Sequence, residues 1–211
     1  MLHRIREACQ DDDFDLPFDG ITEIDEAYLG GKEGNKHTNK KGKVDKTPAL
    51  GFINRDTKKA KVMKIPSAKG YDLQEQIYKR TKEGSFLVTD SYSAYDVLSW
   101  NYKHESVKHS AGQYVKTKSR VAFKIHTNFI EGFCLQVFLF FQNGSRSLRY
   151  WSMVKRGIYG VYHWASAKHI NKYLSEYSYK YNTKELTDAQ RFYNFFNQIQ
   201  HKITYKQLIS A

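Results

Sequence analysis

Cysteine is almost missing from this chain: Cys9 and Cys134 are the two in 211 residues. Two thiols make neither a disulfide framework nor a four-thiolate zinc site. Long hydrophobic runs are missing too. The most apolar stretch, Cys134 to Phe141, has eight residues, against the roughly 18 that a membrane-spanning helix needs. The N-terminus carries early charge and lacks the apolar core of a secretory signal. No Walker loop, Gly-x-Ser-x-Gly elbow or dinucleotide-binding glycine pattern occurs. These absences predict a reduced, intracellular protein with no membrane partner. It would be nuclear in a eukaryotic host and cytoplasmic or nucleoid-associated in a bacterial one.

What is present is a composition able to build a core, 40% hydrophobic and 15% aromatic, which argues against intrinsic disorder. There is also an excess of positive charge, +12 in all. Residues 1–26 hold nine acids and two bases, net −7, so the remainder of the chain carries +19. A field of that sign attracts polyanions, nucleic acid before an anionic membrane surface. A lysine-rich composition that merely aids solubility is the plainer account of the same charge.

The order of elements is legible. Strands are predicted at Ile21–Leu29, Ala49–Asn54, Ala60–Ile65, Ser85–Thr89 and Glu105–His109. Helices are predicted at Tyr71–Lys82, Ser93–Trp100, from Asn128 onward, and at Ser166–Tyr181 and Thr187–Gln200. Lys32 to Lys46 reads as a solvated loop, and Leu2 to Ala8 as a helix end. Strands first, then helices alternating with strands, indicate an α/β domain with a mixed sheet of about five strands flanked by helices.

Three acids stand at informative places. Asp25 lies in the first long strand, Asp90 where the strand Phe86-Leu87-Val88-Thr89 stops, and Glu131 in the first turn of a helix opened by His126-Thr127-Asn128. Strand ends and a helix start can converge in one cleft of a mixed sheet. Carboxylates brought together repel unless protons or cations compensate. Two Mg²⁺ held by carboxylates suit in-line phosphoryl displacement. Each acid also has a plainer role. Asp25 could be a solvated strand residue, Asp90 a helix N-cap, and Glu131 the partner of Asn128 in a capping box. His104, His109 and His126 fit no zinc spacing. His109 and His126 read instead as phosphate contacts or cleft lining.

Six strings carry a resemblance: EIDEAYLGGKE at 23–33, VTDSYSAY at 88–95, VKHS at 107–110, HTNFIEGF at 126–133, WSMVKRGIYGVYH at 151–163 and SAKHINKYLSEYSYKYNT at 166–183. In this order they resemble the insertion-sequence DDE transposases of the ISXO-two-like group, relatives of the eukaryotic Merlin elements. The resemblance implies an RNase H-like catalytic domain over residues 20–183. It implies a DNA transposase that cleaves and transfers strands with two Mg²⁺ (or Mn²⁺) ions, and that assembles as a homo-oligomer on transposon ends and target DNA. It places the metal-binding acids at Asp25, Asp90 and Glu131. Asn128 is the alternative third residue, since some members carry Asn there. Lys155 and Arg156, with His126 and His109, would contact the DNA backbone.

Two departures follow from the same resemblance. Residues 1–19 would be a leader left from an N-terminal DNA-reading region, and 184–211 a C-terminal helical tail. The family pattern also puts a lysine seven residues after the third acid, whereas Glu131 and Lys155 are 24 apart. A straight helix would separate those two residues by about 36 Å. Removing Cys134 to Tyr150 restores the spacing of seven, so 134–150 is read as an insert. A catalytically inactive or domesticated transposon-derived DNA-binding protein is the alternative function. An RNA-binding or ribosome-associated protein would explain the charge and aromatics, but not the ordered motifs. An unspliced intron or a decayed copy would account for the insert. For the intron, the expected transcript lacks the codons for 134–150, and a transcript retaining them rules the intron out.

Overall fold

The computed structural model describes residues 2–10, 15–30, 46–108, 115, 125–127, 130 and 150–199. Among them, five strands form one mixed sheet: β1 (Ile21–Gly30), β2 (Lys46–Asn54), β3 (Ala60–Lys64), β4 (Phe86–Asp90) and β5 (Lys103–Val107), in the order β3-β2-β1-β4-β5. β1 runs antiparallel to β2 from Thr22↔Asn54 to Gly30↔Lys46. It runs parallel to β4 over Ile21↔Phe86 to Glu23↔Val88. β2 and β3 are antiparallel, and β4 and β5 parallel. With helices on both faces, this is the α/β, RNase H-like arrangement that the motif order implies.

Side-chain alternation along the strands feeds two cores. On one face Ile24, Leu50, Phe52 and Leu87 meet Leu73 and Ile77 of helix α2 (Gly70–Arg80), and Tyr95 and Leu98 of a 3₁₀-helix at Ser93–Trp100. On the other, Ala27, Leu29, Ile53 and Val62 meet Trp151 and Val154 of α3 (Tyr150–Arg156) and Leu174, Tyr177 and Tyr181 of α4 (Ile170–Asn182). Helix α5 (Asp188–Gln198) opens on a capping box: the Gln190 amide donates to Thr187 Oγ1 at 3.3 Å, and the Thr187 amide to Gln190 Oε1 at 3.0 Å.

Boundaries differ from expectation for identifiable reasons. β2 begins three residues early, through Pro48, a residue that normally stops a strand. The Pro48 carbonyl accepts from the Ile65 amide at 3.1 Å, on the β3 side. The N–H that proline lacks would point to that same side, where the β3 ladder has just ended at Ala49↔Lys64. The pairing with β1 is untouched. β5 starts at Lys103 because Phe86 pairs with it. α4 starts at Ile170 because residues 166–169 form a turn closed by the His169 amide on the Ser166 carbonyl at 3.0 Å. The helix expected from Asn128 falls outside the described residues.

Helix α1 (Leu2–Ala8) lies on α4 through a polar network. Buried Arg6 donates from Nε to Glu176 Oε2 at 2.9 Å, and its guanidinium stands 4.1 Å from the Tyr173 ring centre and 4.8 Å from that of Tyr162. Lys172 pairs with Glu7. Glu176 also accepts from the Tyr162 hydroxyl at 2.6 Å and from Lys180 at 2.5 Å. Burial works to raise the Glu176 carboxyl, but Lys180, Tyr162 and Arg6 outweigh it and hold it below the ordinary 4.5. A depressed carboxyl stabilises the fold above its unfolded value, and that contribution is lost as pH falls through the folded one. Glu176→Gln is therefore expected to cost about 3 kcal/mol at pH 7 in urea unfolding. The gap to wild type should narrow as the pH is taken below 4.5.

Candidate active site

The β1–β4 ladder ends at Glu23↔Val88, yet β1 continues to Gly30 and β4 to Asp90. Beyond that pair the two parallel strands no longer bond to each other, and the sheet opens at their carboxyl ends. Crevices of this kind are where open α/β sheets bind ligands. Asp25, Glu26 and Asp90 converge there, with one carboxylate oxygen of each within 4.8 Å of the others. All three residues are half-buried.

Asp25 and Asp90 are two of the acids singled out in the sequence, and the fold brings them together. Glu26 is not one of them. Strand alternation sends it to the face opposite Asp25. It reaches the same crevice because β1 has no bond to β4 on that side past Glu23. The one signal for it in the sequence is that it is the acid next to Asp25. Asp90 also takes up a local role: its Oδ1 accepts from the Tyr92 amide at 3.0 Å. It does not cap the 3₁₀-helix, whose N-cap residue is Tyr92.

Tyr95 supports the cluster from within the core. It is fully buried, and its hydroxyl donates to Glu26 Oε2. Burial, then the negative charge of Glu26, push the Tyr95 phenol well above its ordinary range, which keeps it a donor. Burial likewise raises the Glu26 carboxyl; the Tyr95 hydrogen bond opposes this and the charge of Asp90 adds to it. Three acids packed this closely favour protons or a cation. Carboxylate oxygens are the hard donors that Mg²⁺ and Mn²⁺ take, so the residues present fit such an ion.

The other expected residues are distributed as follows. Lys155 and Arg156 end α3 and are exposed. His126 has 18% of its side chain exposed, with Nδ1 3.1 Å from Arg55 Nη2 and 3.3 Å from Glu23 Oε1. Glu131, Asn128 and His109 lie outside the described residues. Ile130 is described: its carbonyl accepts from the Trp151 amide at 3.2 Å, so these two residues, 21 apart in the chain, lie side by side.

Ile130 and Trp151 both lie over Gly51, the register partner of Asp25. A Cβ there would stand 2.9 Å from Trp151 Cζ2 and 3.0 Å from Ile130 Cδ1. Glycine at 51 thus lets the start of α3 settle on the sheet beside Asp25. Gly51→Val is expected to cost about 2 kcal/mol by overpacking and to shift tryptophan emission as Trp151 is lifted from the strand.

No helix among the described residues is long and apolar enough to cross a membrane. No curated protein and no solved structure matches the chain. The family model for the ISXO2-like transposase domain matches residues 17–138, more than half of the chain. That span contains all five strands and the three converging acids. The chain therefore belongs to the ISXO2-like transposase domain family, whose members are DDE transposases.

Proposed function

We propose that this chain is the catalytic domain of a DNA transposase, cutting DNA at the ends of its element and joining those ends to target DNA. The observation that carries the reading is the convergence of Asp25 and Asp90, from separate strands far apart in the chain, within 4.8 Å in the crevice of the sheet. Asp25 and Asp90 would hold two Mg²⁺ (or Mn²⁺) ions, with Glu131 as the third ligand and Asn128 the alternative. Ions held there supply a nucleophile activated for in-line attack on a phosphodiester and stabilisation of the leaving oxygen. The chain's own residues do the rest. Asp25 and Asp90 orient the site from two strands. Tyr95 holds Glu26 at its inner wall. Lys155 and Arg156 at the exposed end of α3, and His109 and His126, would bind backbone phosphates, which position DNA without reading its sequence.

Two observations support residues 134–150 as an insert in the 20–183 catalytic unit. The family match stops at residue 138, inside that segment. The Trp151 amide donates to the Ile130 carbonyl at 3.2 Å, across 21 residues of sequence. With 134–150 removed, Trp151 stands four after Ile130, the i→i−4 spacing of an α-helix. In the chain as it stands, Tyr150 precedes Trp151, where Phe133 would precede it in the shorter chain. Its ring is fully buried, and its hydroxyl is 3.1 Å from Ser178 Oγ and 3.3 Å from the Leu174 carbonyl. With 134–150 removed, Lys155 would fall two helical turns past position 131. Residues 1–19 as a leader and 184–211 as a tail complete the proposed organisation, with assembly into a homo-oligomer on DNA.

Supercoiled-plasmid nicking in Mg²⁺ and in EDTA tests the activity. Wild type is expected to nick only with Mg²⁺. Asp90→Asn is expected to lower the rate by about a thousandfold while plasmid binding in a gel shift persists. Full nicking by Asp90→Asn refutes the metal role. Binding without nicking by wild type identifies instead an inactive or domesticated DNA-binding protein.

A further inference from the structure

Glu23 is completely buried, on β1, two residues before Asp25 and on the same face. A buried carboxylate is costly unless it is paired and hydrogen-bonded. Glu23 is both, and its partners come from two other parts of the chain. Oε1 accepts from Arg55 Nε at 2.7 Å and stands 3.3 Å from His126 Nδ1. Oε2 accepts from the Ile130 backbone amide at 3.3 Å. Arg55 closes the ring, since its Nη2 donates to the His126 carbonyl. Arg55 is itself anchored just past β2, its amide donating to the Ile21 carbonyl at 2.8 Å.

One carboxylate therefore ties three segments: β1, the turn after β2, and the segment that carries Ile125, His126 and Ile130. The third segment also packs by apolar contact, through Ile125 against Val88 and Val107. Apolar contact is non-directional and tolerates sliding. The Glu23 bonds are directional and hold the segment at a strand position about 7 Å from Asp25 along β1. Glu23 is absent from the carboxylates that converge at the crevice, because it points at this segment.

We infer that Glu23 is a positioning residue. Through Arg55, His126 and the Ile130 amide it fixes His126 and Ile130 beside the strand that carries Asp25, one residue before the proposed third ligand. This rests on the transposase reading for its effect on rate, but not for the tether itself.

The experiment uses the full chain, with Glu23→Gln, which keeps the shape and one acceptor, and Glu23→Ala beside it. Backbone amide exchange and plasmid nicking are measured below the melting temperature of each variant. In both variants Ile130 exchange is expected to speed by about tenfold or more, while the Leu50 and Phe52 amides of β2 stay protected. The kcat for nicking should fall by about tenfold to a hundredfold with KM for plasmid within about twofold, as misplacement by an ångström does. Exchange that rises equally at Ile130, Leu50 and Phe52, or an unchanged kcat, overturns the inference in favour of a merely structural ion pair. Should wild type fail to nick, the catalytic reading fails alone, and selective exchange at Ile130 still decides the tether.

Discussion

Two parallel strands part company after Glu23 and Val88, and what this chain can do follows from that parting. A closed ladder would leave Asp25 and Glu26 on opposite faces of a sheet, unable to share a ligand. An open one lets both reach a common crevice with Asp90. The cost is electrostatic: half-buried acids at this distance repel, and the Glu26 carboxyl rises under burial and the charge of Asp90. A cation relieves that repulsion, which is why the same geometry that destabilises the crevice suits it to a metal-dependent reaction.

The rest of the fold keeps the crevice from collapsing or drifting. Tyr95 braces Glu26 from one core, so the 3₁₀-helix after β4 is tied to β1 through the crevice. From the other core, Trp151 and Ile130 rest on Gly51 directly across from Asp25. Glu23 adds a directional restraint where packing alone would slide. Helix α1 shows the same use of buried charge, with Arg6 and Glu176 docking the N-terminal residues on α4.

The insert proposed at 134–150 falls in the middle of the third motif, where it would be expected to disrupt a site of this kind. The Trp151 amide nevertheless bonds to the Ile130 carbonyl, so the start of α3 lies beside Ile130, with Tyr150 fully buried next to it. The buried Tyr150 hydroxyl is met by Ser178 and the Leu174 carbonyl, without which a buried O–H would be costly.

Much of this was legible in the chain itself. Alternation and turn residues mark all five strands, because a strand's pattern is local. The motifs at 23–33 and 88–95 mark Asp25 and Asp90 by chain order. The strand running through Pro48 was not legible, since only the β3 register reveals that its missing N–H is not needed. Glu26, Tyr95 and Gly51 were not legible as site residues either. Their roles depend on where the β1–β4 ladder stops and on what lies across from Asp25. Sequence by itself determined the five strands, the sign of the charge and two of the acids, all properties of neighbours along the chain. The tertiary structure alone decided which acids share a crevice and which buried groups hold it in shape, because such contacts join residues distant in the chain.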